Sequence, residues 1–90
     1  MDRVASIEQT LRATFAPSHL VVEDESALHA GHAGAAGGGH FRVLIVSAAF
    51  EGQDLVARQR AVYAALGSAM KTDIHALALR TLTPEEWDRT

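Results

Sequence analysis

Residues 40–81, HFRVLIVSAAFEGQDLVARQRAVYAALGSAMKTDIHALALRT, contain two apolar segments with a helical segment between them. Residues 40–47 and 74–81 are short and apolar, which is typical of β-strands. Both faces of the segment 40–47 are apolar, which favours a central strand over an edge strand. A strand–helix–strand unit almost always closes right-handed with its two strands parallel. The stretch therefore predicts two parallel strands with a helix packed against them.

The intervening helix is predicted to run from about Leu55 to Met70, with Asp54 as its N-cap. Gly67 costs about 1 kcal/mol relative to alanine inside a helix, so an early end is expected there. Residues 48–52 form a connector with room for one helical turn. One face of this helix carries Leu55, Val62, Leu66 and Ala69 or Met70.

The N-terminal third of the chain predicts one helix and one strand. Residues 4–15 place apolar side chains at helical spacing, and Pro17 disfavours helical geometry before it. Residues 20–25 read as a first strand, and an antiparallel pair with residues 40–47 is the simplest arrangement. The helical stripe consists of Val4, Ile7, Leu11 and Phe15.

The C-terminus carries the signature of a capped helix. Thr83 fits an N-cap, Pro84 the first helical position, and Glu86 completes a capping box. The predicted order is α-β-β-α-β-α with a possible extra turn at residues 48–52. The fold class is therefore α+β, a three-stranded mixed sheet with helices packed on it.

Composition limits the classes of function. Ninety residues with 48% hydrophobic content predict one globular domain, residues 1–90. Cysteine is absent, so this chain forms no disulfide and offers no thiolate to a metal. No apolar run approaches the roughly 20 residues of a membrane helix, and the N-terminus lacks the apolar region of a secretory signal. A soluble, cytoplasmic protein without a membrane partner, monomeric when alone, is expected.

Histidines gather at one predicted edge of the sheet. Residues 26–39 form a glycine-rich loop with His29 and His32, and the strands that follow begin near His40 and His75. Because parallel strands start at the same edge, these four histidines are expected near one rim, with His19 elsewhere. Imidazole suits zinc, copper, iron and nickel. The alternative is that the loop histidines are solvated and that His40 lies on the exposed face of its strand, which we favour for His40.

The sequence resembles the BolA family from about Ile7 to Trp87. The matching segments are VEDESALHAGHAGAAGGGHFRVLIVSAAFEG, VARQRAVYAAL and DIHALALRTLTPEEW, in that order. The resemblance implies an α-β-β-α-α-β-α fold related to the type II KH fold. It also implies a heterodimer with a monothiol glutaredoxin, in which a [2Fe-2S] cluster is shared with the glutaredoxin cysteine and glutathione.

The same resemblance implies the ligands and the role. His29 matches the family's loop ligand and His75 matches the ligand near the start of the last strand. His32 lies beside the first position, and His40 matches a strand histidine that is an alternative ligand. The implied role is iron–sulfur cluster trafficking or iron and redox sensing, without enzymatic turnover, and the isolated chain is expected to hold no stable metal.

Two other functions compete with this interpretation. The family has been linked to transcriptional regulation and stress, and a KH domain grips nucleic acid with a GxxG loop. The comparable turn, residues 50–54, has one glycine and two acids, and the net charge is −3. A modest basic patch would need Arg58, Arg60, Lys71 and Arg80, but we favour the alternative that these are solvated charges on helix faces. An enzyme is disfavoured because no catalytic motif surrounds Asp24, Ser26 and His29.

Overall fold

A computed structural model of the chain describes residues 3–26 and 39–90. These residues form a three-stranded mixed sheet in the order β1-β2-β3, with β1 antiparallel and β3 parallel to the central β2. The predicted fold class, strand pairings and central strand are confirmed. The elements are α1 (Arg3–Phe15), β1 (His19–Asp24), β2 (Gly39–Val46), a 3₁₀ turn (Ala48–Phe50), α2 (Leu55–Leu66), α3 (Ala69–Thr72), β3 (Ile74–Leu82) and α4 (Pro84–Asp88).

The core lies between one face of the sheet and the first two helices. Alternate residues of β2 point into it, because side chains along a strand alternate between the two faces. Phe50 from the 3₁₀ turn is fully buried, and its ring lies 5.2 Å from that of Phe15. The other buried apolar residues of this cluster are Ile7, Leu11, Phe41, Val43, Ile45, Val62, Leu66 and Ile74.

Helix α2 begins as predicted and ends four residues early. The Asp54 carboxylate accepts the N–H of Ala57 at 2.8 Å, which caps the first turn. Gly67 has a φ of 54°, a left-handed conformation that stops the helix, and α3 then forms as a separate turn. Val62 and Leu66 of the predicted apolar face are buried, whereas Leu55 of the same face is 59% exposed. The whole first turn of α2, residues 55–57, is exposed, so burial begins further along the helix.

The C-terminal capping box is confirmed. The Thr83 hydroxyl accepts the N–H of Glu86 at 3.2 Å, and the Glu86 carboxylate accepts the N–H of Thr83 at 2.9 Å. Helix α4 then brings the ring of Trp87 to 4.8 Å from that of His19, at the start of β1. His19 pairs with Val46 at the far end of β2. The opposite end of the sheet, where β2 and β3 begin, carries the candidate site.

Candidate metal centre

Two histidines meet where the parallel strands β2 and β3 begin. The ring centroids of His40 and His75 lie 5.1 Å apart. The strand register shifts here, with Gly39 opposite Ile74 and His40 opposite Ala76, so His75 is an extra residue on β3. Such a β-bulge re-aims the side chain of the inserted residue. The sequence predicts both histidines at one edge, and within the described residues the structure brings these two together.

The ends of the histidine-bearing loop are tied to the same edge. Ser26 precedes the loop, and its hydroxyl accepts the N–H of His40 at 3.0 Å. The N–H of Glu25 donates to the carbonyl of His40 at 2.7 Å. After the loop, the N–H of Gly39 donates to the carbonyl of Asp73 at 3.0 Å. The chain therefore leaves and re-enters the sheet beside the two histidines.

Asp24 strengthens the first of these anchors. Its carboxylate accepts the N–H of Ser26 at 2.9 Å. Hydrogen bonds from the Ser26 hydroxyl, and then from the Ser26 N–H, hold the pKa of Asp24 below its usual range. The ionised carboxylate thus fixes Ser26, which in turn holds the backbone of His40. Ser26 and Asp24 serve here as structural groups, and sequence reasoning found them only as members of an improbable catalytic set.

Gly39 is buried at this junction and leaves no room for a side chain. A Cβ at this position would lie 2.6 and 2.8 Å from two ring carbons of Phe41 and 2.9 Å from the Ser26 hydroxyl. Real Cβ atoms do not approach other heavy atoms this closely. The glycine therefore lets the first residue of β2 pack directly on the core aromatic ring.

The predicted loop ligands His29 and His32 lie outside the described residues. Their role as ligands stays a prediction. Within residues 3–26 and 39–90, no three histidine, cysteine, aspartate or glutamate side chains are grouped so that they could hold a metal ion. The described part of the site therefore offers two neighbouring imidazoles as candidate donors.

Arg58, the first candidate for nucleic-acid binding, is bound to other groups of this chain. Arg58 forms a two-pronged ion pair with Glu86, at 2.7 and 3.2 Å, and only 12% of its side chain is exposed. It also donates to the carbonyl of Gln53 at 2.8 Å. This arginine lowers the pKa of Glu86 to about 2, with a further contribution from the Thr83 N–H. Arg58 therefore links α2 to α4, and its guanidinium is already occupied.

The other basic candidates, unlike Arg58, are exposed. Arg60 and Lys71 are exposed on α2 and α3. Arg80 lines a shallow groove on the sheet with Val21 and Leu44, side chains that alternate away from the core. Since the helices pack on the other face of the sheet, Arg80 and Arg60 do not share a face. Among the described helices, none is long and apolar enough to cross a membrane.

Comparisons with known proteins agree on one family. The family model described as "BolA-like protein" matches residues 11–86. The chain is 44% identical over 82 residues to the "DNA-binding transcriptional regulator BolA" of Escherichia coli, covering 91% of this chain and 76% of that protein. It is 43% identical to the chloroplastic protein BOLA1 of Arabidopsis thaliana over 94% of this chain and 56% of that protein.

Solved structures show the same relationship. The structure of BolA1 from Arabidopsis thaliana matches with a TM-score of 0.84 and 42% identity, over 96% of each chain. These relatives carry names of regulators and BolA proteins. The matched region contains the three strands, the early end of α2 and the histidines at the sheet edge. Because the match covers most of its length, the chain belongs to the BolA-like protein family.

Proposed function

We propose that this chain is the non-enzymatic partner of a monothiol glutaredoxin and co-ligates a [2Fe-2S] cluster through histidines. The observation that carries the proposal is the contact between the rings of His40 and His75 at the edge where the loop ends are anchored. In this proposal His75 is one ligand and His29 is the loop ligand, with His32 and His40 as alternates. The role is cluster trafficking or iron and redox sensing, in the cytoplasm.

The covalent chain permits His29 to approach His75. His29 follows Ser26 by three residues, which span at most about 11 Å when fully extended. Strands β1 and β3 flank β2, so two strand spacings of about 4.8 Å separate their ends. The span from Ser26 to β3 is therefore about 10 Å, within the reach of the loop.

The donor set fits a shared cluster better than a private metal ion. The chain has no cysteine, so the sulfur ligands of a cluster would come from the partner's thiol and glutathione. Ordering about five loop residues costs about 5–10 kcal/mol, a large part of the ~10–16 kcal/mol that a complete structural zinc site supplies. Two imidazoles alone would bind metal weakly, and a docked partner completes the coordination. Histidine ligation on one iron raises the reduction potential relative to thiolate ligation.

The test is reconstitution with a monothiol glutaredoxin, glutathione, iron and sulfide. Visible absorption and circular dichroism are compared for wild type and for His75→Ala, His29→Ala, His32→Ala and His40→Ala. His19→Ala is the matched control, because His19 lies at the other end of the sheet against Trp87. We expect the mixed-cluster spectrum to change in His75→Ala and in one loop variant, and to persist in His19→Ala. An unchanged spectrum in every variant would refute the ligand assignment.

DNA binding is the second candidate, because the Escherichia coli relative is named as a DNA-binding regulator. The exposed residues Arg60 and Lys71 are its candidate phosphate contacts, whereas Arg58 is held by Glu86. Each lost phosphate contact should reduce the slope of log K against log salt by about 0.9. Fluorescence anisotropy with duplex DNA would compare Arg60→Ala and Lys71→Ala with Arg12→Ala on α1. A slope unaffected by the first two variants would exclude these residues.

A further inference from the structure

The outer edge of β3 presents backbone groups that no neighbouring strand uses. The N–H of Ser47 donates to the carbonyl of Leu82 at 2.9 Å, so Leu82 directs its backbone toward β2. Backbone direction alternates along a strand, so Ala78 and Arg80 also face β2, while Leu77 and Leu79 face outward. On the outer side of β3, within residues 3–26 and 39–90, Arg58 donates a long hydrogen bond of 3.4 Å to the carbonyl of Thr81.

Beyond the bulge at His75, this edge lacks most of the devices that normally protect an edge strand. Such strands are commonly short, charged or interrupted by proline. Strand β3 has nine residues and contains no proline, lysine, aspartate or glutamate, and Arg80 is its one arginine. The other edge strand, β1, has six residues, ends in Glu23 and Asp24, and is flanked by Trp87 against His19. The long, weakly charged edge is therefore the one that starts beside His75.

We propose that the outer edge of β3 is the docking surface for the thiol-bearing partner, which adds an extended segment to the sheet as a fourth strand. The inference rests on the proposed function and specifies how that partner docks. The outward N–H and C=O groups recur every two residues along β3, about 6.8 Å apart. Another extended backbone carries N–H and C=O groups at the same spacing and can pair with them. An added strand lies about 4.8 Å from β3 and so places the partner's backbone beside His75, where its sulfur ligands are needed.

Residue-resolved amide hydrogen exchange tests this directly on the full chain, with and without the glutaredoxin and its reconstituted cluster. In the free chain, the amides of Ala78 and Arg80 should be protected and those of Leu77 and Leu79 should exchange faster. On complex formation, the amides of Leu77 and Leu79 should gain protection of about tenfold or more. A complex that forms while these two amides stay unprotected would overturn this inference alone. The absence of any complex would overturn both this inference and the proposed function.

A backbone variant gives an independent measurement. Leu79→Pro removes an outward N–H that the sheet does not use, and proline is tolerated on strand edges where its nitrogen faces outward. Leu79→Ala is the matched control, since both variants lose the leucine side chain. We expect the proline variant to bind the partner about tenfold more weakly than the alanine variant, with equal circular dichroism of the free chains. Equal affinity of two folded variants would contradict the docking mode, and the exchange experiment decides the question if the proline variant does not fold.

Discussion

Replacing Gly39 by alanine should destabilise the fold at the point where the loop returns to the sheet. The added Cβ would lie 2.6 and 2.8 Å from two ring carbons of Phe41, against normal carbon contacts of about 3.5–4.0 Å. Phe41 is 2% exposed, so its ring cannot move aside into solvent. Overpacking of a core costs about 1–3 kcal/mol, and the lower chain entropy of alanine in the unfolded state returns about 0.4–1 kcal/mol.

With the middle of each range, about 2 and about 0.7 kcal/mol, the expected net loss in the free energy of unfolding is about 1.3 kcal/mol. For a domain of this size this corresponds to a fall in Tm of about 5–10 °C. Urea unfolding of wild type and Gly39→Ala measures it, provided that both transitions are two-state.

A double-mutant cycle isolates the clash with the ring. Leucine at position 41 lacks the two carbons that the new Cβ would meet. Gly39→Ala should therefore cost about 1 kcal/mol less in a Phe41→Leu background than in the wild-type background. If Gly39→Ala is neutral or stabilising in the wild type, or costs the same in both backgrounds, the close packing of the loop junction on Phe41 is refuted.

Three further predictions concern the caps and carboxylates. Thr83→Ala should lower the free energy of unfolding by about 1 kcal/mol because it removes the N-cap of α4, whereas Thr90→Ala at the exposed C-terminus should have a small effect in the same urea titration. The depressed pKa of Glu86 contributes stability that is fully present above its unfolded pKa, near 4.5, and is lost as pH falls toward about 2. In urea unfolding, the difference in the free energy of unfolding between wild type and Glu86→Gln should therefore shrink over that range. A constant difference would contradict the ion pair with Arg58. Ser26→Ala should raise the pKa of Asp24 toward its ordinary value in an NMR titration, and an unchanged pKa would show that the Ser26 hydroxyl does not stabilise the ionised carboxylate.

The elements that sequence reasoning predicted well are those with local chemical signals. The capping box at Thr83 and Glu86 and the cap at Asp54 were readable because each depends on residues only a few positions apart. The strand pairings followed from the strand–helix–strand order and from the apolar faces of residues 40–47. The relationship to the type II KH fold stays a prediction.

The features that sequence reasoning missed depend on contacts between distant residues. The exposure of Leu55 depends on where the first turn of α2 lies relative to the core, which helical spacing does not reveal. The ion pair between Arg58 and Glu86 joins residues 28 positions apart, so the sequence around Arg58 indicates only a solvated surface charge. His40 was expected to be an exposed strand residue, whereas the bulge at His75 brings the two rings together.

The central claim is that an imidazole of this chain binds iron in a cluster shared with a glutaredoxin. Pulsed electron paramagnetic resonance of the reduced mixed cluster, with ¹⁵N-histidine incorporated only into this chain, measures that bond directly. We predict a strong nitrogen hyperfine coupling whose pattern changes from that of ¹⁴N to that of ¹⁵N with the label. This coupling should be lost or altered in His75→Ala. A cluster whose spectrum shows no coupling to labelled histidine nitrogen would contradict the account.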